Sequence, residues 1–85
     1  MKLNSSPIVS PAQLEILGFD RIGFVEEVTR FSSDYGHIVS VYFEADGVRS
    51  QGFLKINLHH SDRLENLIKR LKAITGLVRV RRIEA

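Results

Sequence analysis

The stretch AQLEILGFDRIGFVEEV, Ala12 to Val28, changes its hydrophobic period halfway along, and that change decides the fold. In the first half Ala12, Leu14 and Ile16 alternate with Gln13, Glu15 and Leu17, the two-residue period of a strand running to about Phe19. Asp20 breaks the alternation. Beyond it Phe24, Val28, Phe31 and Tyr35 recur at i, i+4, i+7 and i+11. This predicts a helix over about 22–35, with Asp20 as its N-cap and Glu26 and Glu27 near its positive end.

Working outward, Gly36 is placed for a left-handed C-cap, and His37 to Ala45 alternates again with Val39, Val41, Phe43 and Ala45 to one side. Asp46-Gly47 then signals a hairpin with a type I′ turn. With those two residues as the loop, Ala45 faces Val48, Glu44 faces Arg49 and Val39 faces Leu54 in the expected register. The third strand runs from about Val48 to Leu58, with Leu54, Ile56 and Leu58 on its core face and Gly52 as a candidate bulge. Ser61 or His60 is expected to cap a second helix. Its apolar face is Leu64, Leu67, Ile68, Leu71 and Ile74, Glu65 precedes Lys69 by four, and Gly76 ends it. Leu77 to Ile83 reads as the last strand, Val78 and Val80 alternating with Arg79 and Arg81.

Strand, helix, strand, strand, helix, strand is the split βαβ arrangement of a ferredoxin-like α+β sandwich: a four-stranded antiparallel sheet with both helices on one face. The other face stays open. Its expected occupants are Glu15, Leu17, Ser40, Tyr42, Glu44, Phe53, Lys55, Asn57, Arg79 and Arg81. The second strand falls at an edge of such a sheet, and residues 37–45 are long, partly apolar and free of proline. Edges of that kind are usually paired or covered, so a homodimer is expected.

The composition limits what the chain can do. Its 85 residues allow one domain, and 44% hydrophobic with 26% charged residues is an ordinary globular balance. Residues 1–11 hold three serines, Asn4 and two prolines without periodicity, and read as a leader or linker ahead of a domain at 12–85. They lack the apolar run of a secretory signal, and no stretch is apolar enough for a membrane helix. With no cysteine there is neither a disulfide framework nor a Cys-based zinc site, and a cytoplasmic location is expected. His59-His60 point to opposite faces of a strand and have no third ligand at metal spacing. No nucleophile stands beside a base and no phosphate loop of Walker type occurs, so neither catalysis nor a cofactor is expected.

The run Leu14-Glu15-Ile16-Leu17-Gly18-Phe19-Asp20-Arg21-Ile22-Gly23-Phe24-Val25 resembles the opening of an ACT domain: an apolar strand, Asp-Arg-x-Gly, then two apolar residues beginning a helix. The closing half, Leu64-x-x-Leu67-Ile68-x-x-Leu71-x-x-Ile74-x-Gly76-Leu77-Val78-x-Val80-x-Arg82, is similar to the ACT domain at the C-terminus of RelA/SpoT-type GTP pyrophosphokinases, the stringent-response enzymes of guanosine tetraphosphate. The resemblance spans about Ala12 to Arg82. It implies a regulatory module without chemistry of its own, which pairs with a copy of itself and binds an amino acid or another small effector where the copies meet. The carried-over ligand positions are Asp20, Arg21, Ile22, Gly23 and Phe24, with His37 and Ile38. Ligand-binding members often have Asn where this chain has His37.

Lys69, Arg70, Lys72, Arg79, Arg81 and Arg82 supply six of the twelve basic residues within fourteen positions. They invite a second reading, contact with RNA phosphates on a ribosome or tRNA through the parent protein. The alternative is a solvated surface in which the helix cations suit the dipole and the strand arginines face Glu15. The formal charge of only +2 favours neither.

Overall fold

A computed structural model of the protein describes residues 11–83, so the leader, apart from Pro11, lies outside the described residues. The elements are β1 (Ala12–Phe19), α1 (Phe24–Ser33), β2 (Gly36–Ala45), β3 (Arg49–Leu58), a 3₁₀ turn at Ser61–Arg63, α2 (Leu64–Lys72) and β4 (Leu77–Ile83). The strands lie in the order β2-β3-β1-β4 and every neighbouring pair is antiparallel. This is the expected ferredoxin-like sandwich, with β2 and β4 as the edges.

The alternation in β1 and β3 places Leu14, Ile16, Leu54 and Ile56 beneath the helices, all fully buried. Phe24 and Val28 from α1, Leu67 and Leu71 from α2, Ile74 and Val80 close the same core. Each such side chain contributes about 1.5–3 kcal/mol by leaving water, so this one interface holds the two layers together. Between the helices the Arg70 guanidinium lies 4.4 Å over the Phe31 ring and 3.9 Å from a carboxylate oxygen of Asp34.

Several local expectations are corrected. α1 begins at Phe24 with Gly23 in the cap position, and no side chain caps it, so Asp20 is not the N-cap. Likewise His60 makes no capping hydrogen bond; the chain enters α2 through the 3₁₀ turn with Arg63 at the cap position. Gly36 is not left-handed: α1 closes through Asp34 in ordinary helical geometry, and Gly36 already belongs to β2. A Cβ there would stand 2.2 Å from the Asn57 carbonyl oxygen, so glycine is required by the approach of β3.

The hairpin register also differs. Ala45 faces Ser50, Glu44 faces Gln51 and Val41 faces Leu54, two positions along from the expected pairing. Gly47 is left-handed and, among the described residues, no non-glycine residue has a positive φ, which excludes the type I′ turn, where both central residues need one. Instead Asp46 Oδ1 accepts the amides of Val48 and Arg49 at 2.9 and 2.8 Å, and the Asp46 amide donates to the Arg49 carbonyl. An Asx-type turn thus replaces the shorter loop. One of the two positions is taken back between Ile38 and Ser40, where Val39 is the extra residue, so it faces no partner and is 47% exposed. Gly52 is not a bulge; a Cβ there would stand 2.3 Å from the Tyr42 carbonyl oxygen and 2.5 Å from the Phe43 ring. A second irregularity, between Leu17 and Gly18 against β4, turns Val78 outward.

Candidate effector-binding turn

Residues 20–23 join β1 to α1 at the end of the sheet where Phe19 faces Arg49. Two backbone bonds suspend this turn between its neighbours: the Phe19 amide donates to the Gly76 carbonyl at 2.9 Å, and the Asp20 amide to the Val48 carbonyl at 3.0 Å. Gly23 has φ 87°, a conformation that costs an L-residue about 1–2 kcal/mol. It brings no side chain to the helix start. The amides of Phe24 and Glu27 donate to the carbonyls of Arg21 and Gly23, leaving those of Val25 and Glu26 for an outside acceptor at the positive end of α1.

Arg21, one of the carried-over ligand positions, is built into the turn. Its Nε donates to the Thr75 carbonyl at 2.9 Å, one terminal nitrogen to the Ile22 carbonyl at 3.0 Å and the other to Glu27 Oε1 at 3.0 Å. The β1–α1 turn is therefore tied to the turn before β4. Ile22 is 98% exposed, and Asp20 is exposed beside it. Phe24 is buried. Its ring stands over Gly18, where a Cβ would lie 2.2 Å from Cζ, and meets Phe43 edge-on with centroids 6.1 Å apart.

His37 and Ile38 lie elsewhere. They face Asn57 and Ile56, and Ile56 faces Ala12, at the far end of the strand that leads to Asp20. Seven steps of β1 separate the two groups by about 23 Å. Within one chain the seven candidate ligand residues thus form two half-sites, Asp20 to Phe24 at one end and His37 with Ile38 at the other.

The six clustered basic residues are divided too. Arg70 is held between the helices, and Lys72 is exposed at the end of α2. Lys69 and Arg82 line a shallow depression of about 330 Å³ with Asp62, Glu65 and Asn66. Arg79 and Arg81 project from the open face, where Arg81 pairs with Glu15 across the strands as expected. Glu15 also accepts from Gln51 Nε2 at 3.0 Å and, although on the open face, is only 8% exposed. The Arg81 hydrogen bond holds its carboxyl below the usual value, outweighing the opposing effect of desolvation.

The reach of Arg21 to Thr75 was invisible in the sequence, because 54 positions separate the partners and neither flanking stretch carries a signal for it. Among the described residues there is no cluster of three metal-ligating side chains, and no helix is long and apolar enough to cross a membrane.

The sequence matches the profile of the ACT domain over residues 10–82. No curated protein gives a significant sequence match. Among solved structures, the ACT domain from GTP pyrophosphokinase of Chlorobium tepidum superposes with a TM-score of 0.77 at 24% identity, over 87% of this chain and 97% of that one. A homoserine dehydrogenase from Thiobacillus denitrificans matches with a TM-score of 0.71 at 18% identity, over 87% of this chain and 17% of that enzyme. The regulatory subunit of aspartate kinase from Thermus thermophilus matches with a TM-score of 0.59 at 16% identity, over 89% of this chain and 53% of the subunit. At these identities the likeness is one of fold. Because the family profile covers nearly every element from β1 to β4, with the Asp-Arg-x-Gly turn at the start of α1, the chain belongs to the ACT domain family.

Proposed function

We propose that this regulatory domain senses a small amino acid at the β1–α1 turn, as the C-terminal part of a GTP pyrophosphokinase whose catalytic region it controls. The observation that carries the reading is Gly23. A left-handed glycine without a capping side chain opens α1 and leaves helix-start amides to a carboxylate, beside the exposed side chain of Ile22. The parent assignment draws on the likeness to the Chlorobium tepidum ACT domain.

The split site supports a dimer in this reading. If β2 of one copy pairs antiparallel with β2 of another about a two-fold axis, its His37 end meets the partner's Ala45 end, where the partner's own β1–α1 turn lies. Each effector site would then take its turn from one copy and its strand start from the other. Small branched side chains suit the apolar wall offered by Ile22 and Ile38.

The test is an NMR titration of the labelled domain with valine, isoleucine, serine and histidine. Saturable shifts confined to the amides of Ile22 to Val25 and His37 to Val39, lost in Gly23→Leu, are expected. No movement of these amides at millimolar amino acid refutes small-ligand sensing by this domain.

A further inference from the structure

On the open face of the sheet, facing rows can be read directly from the strand pairing. Tyr42, Phe53, Glu15 and Arg81 form one row across all four strands, and Glu44, Gln51, Leu17 and Arg79 form the next. Phe19 and Arg49 make a third, shorter row. Phe19, Leu17, Phe53 and Tyr42 consequently trace an apolar diagonal from the end of β1 to the middle of β2. Phe19, Phe53 and Tyr42 are 55%, 43% and 58% exposed, more than a solvated sheet face needs.

Charge along this diagonal is one-sided. Arg79 and Arg81 border it on β4, Lys55 lies beyond Phe53 on β3, and Arg49 stands beside Phe19. Against these four cations the same rows hold two carboxylates, Glu15 and Glu44, and Glu15 is already bound by Arg81 and Gln51. Among the described residues no ion pair engages Arg49, Lys55 or Arg79. A second copy brought face to face would present the same surplus of positive charge.

We propose that this face docks an amphipathic helix with an apolar stripe and acidic flanks, supplied by another protein. The diagonal crosses the sheet over roughly 16 Å, about ten or eleven residues of helix. Its apolar stripe would cover Leu17, Phe19, Phe53 and Tyr42 while its acids meet Arg79, Lys55 and Arg49. A single-stranded nucleic acid fits the face less well. The aromatic pair sits at the β2 side, whereas the middle of the face holds the Glu15 carboxylate and the aliphatic Leu17, which offer a phosphate chain neither a cation nor a stacking surface. This inference is independent of amino-acid sensing, which concerns the opposite layer and the turn.

The probe is a synthetic 14-residue helical peptide with leucines at i, i+3, i+4, i+7 and i+11 and glutamates on both flanks, titrated into the labelled 85-residue chain. Saturable shifts at the amides of Leu17, Phe53 and Arg79 are expected, with affinity about fivefold or more weaker for Arg79→Glu and for Lys55→Glu at low salt. Among the described residues neither position carries an ion pair, and Arg79 only adds to the field that lowers the Glu15 carboxyl, so both variants should keep the fold, which the spread of the spectrum checks directly. The proposal is overturned if the peptide causes no saturable shift, or if a glutamine-flanked control binds equally well. It is also overturned if a 12-nucleotide oligouridylate binds the face more tightly than the peptide, or if these amides shift with protein concentration alone.

Discussion

Replacing Gly18 by alanine sets two effects of opposite sign against each other. Alanine in place of a strand glycine ordinarily gains about 0.4–1 kcal/mol, because the unfolded chain loses freedom. Here, however, the new Cβ would lie 2.2 Å from Phe24 Cζ and 2.5 Å from Cε1, against a normal carbon contact of about 3.5–4 Å. The ring must retreat by more than about 1 Å. It is fully buried, meets Phe43 edge-on, and belongs to the first residue of α1, so it cannot yield without disturbing the Gly23 turn. Overpacking of this kind costs about 1–3 kcal/mol, which exceeds the entropic gain. We expect a net loss of about 1–2 kcal/mol and a fall in Tm of about 5–15 °C, measured by urea and thermal unfolding at one fixed protein concentration. Phe24→Leu removes the colliding atoms, so Gly18→Ala should cost less than about 0.5 kcal/mol in that background, a coupling that a double-mutant cycle measures. If Gly18→Ala instead stabilises the parent chain, or if its cost is unchanged in the Phe24→Leu background, the packing of β1 against α1 described above is wrong.

Lysines at Val39 and Val41, which are 47% and 41% exposed on the β2 edge, should convert a dimer to a monomer in sedimentation equilibrium without lowering the helical signal; a parent chain that is monomeric at millimolar concentration removes the basis for this expectation. The Glu15 carboxyl titrates below its ordinary value of 4.5 in the folded state, so the unfolded chain binds the proton more readily. The stability it contributes is complete above the ordinary carboxylate range and is lost as pH falls through and below it. Urea midpoints measured from about pH 6 to about pH 3 should therefore decline less in Glu15→Gln, while the remaining slope includes Asp46, whose carboxyl is lowered from 3.8 by the amides of Arg49 and Val48. Arg21→Gln should cost about 1 kcal/mol and speed hydrogen exchange of the Phe19 amide, which donates to Gly76 next to the Arg21 contact at Thr75; unchanged exchange there would show that Arg21 does not tie the two turns together.

The elements and the family are legible in the order of residues alone. The two-residue period of Ala12 to Phe19 and of Leu77 to Ile83 gives both strands the limits they have and places Leu14, Ile16 and Val80 in the core, whereas the irregularity against β1 turns Val78 out. The apolar spacing of Leu64, Leu67, Leu71 and Ile74 likewise needs no distant contact to be read. How the junctions close was settled by contacts between distant segments, because a cap, a turn or a bulge is a competition among alternatives of nearly equal local energy. Asp20 is a good N-cap in isolation, yet the bonds from Phe19 to Gly76 and from Asp20 to Val48 pull the turn so that Gly23 takes that place. The I′ turn at Asp46-Gly47 loses to an Asx-type turn plus an extra residue at Val39, a pairing that keeps Val41 on the core side and brings Ile38 there as well. The candidate site divides in the same way. Its residue types are legible in the Asp-Arg-x-Gly run, whereas the separation of that run from His37 and Ile38 follows from antiparallel pairing, which sends the start of β2 to the opposite end of the sheet from the end of β1.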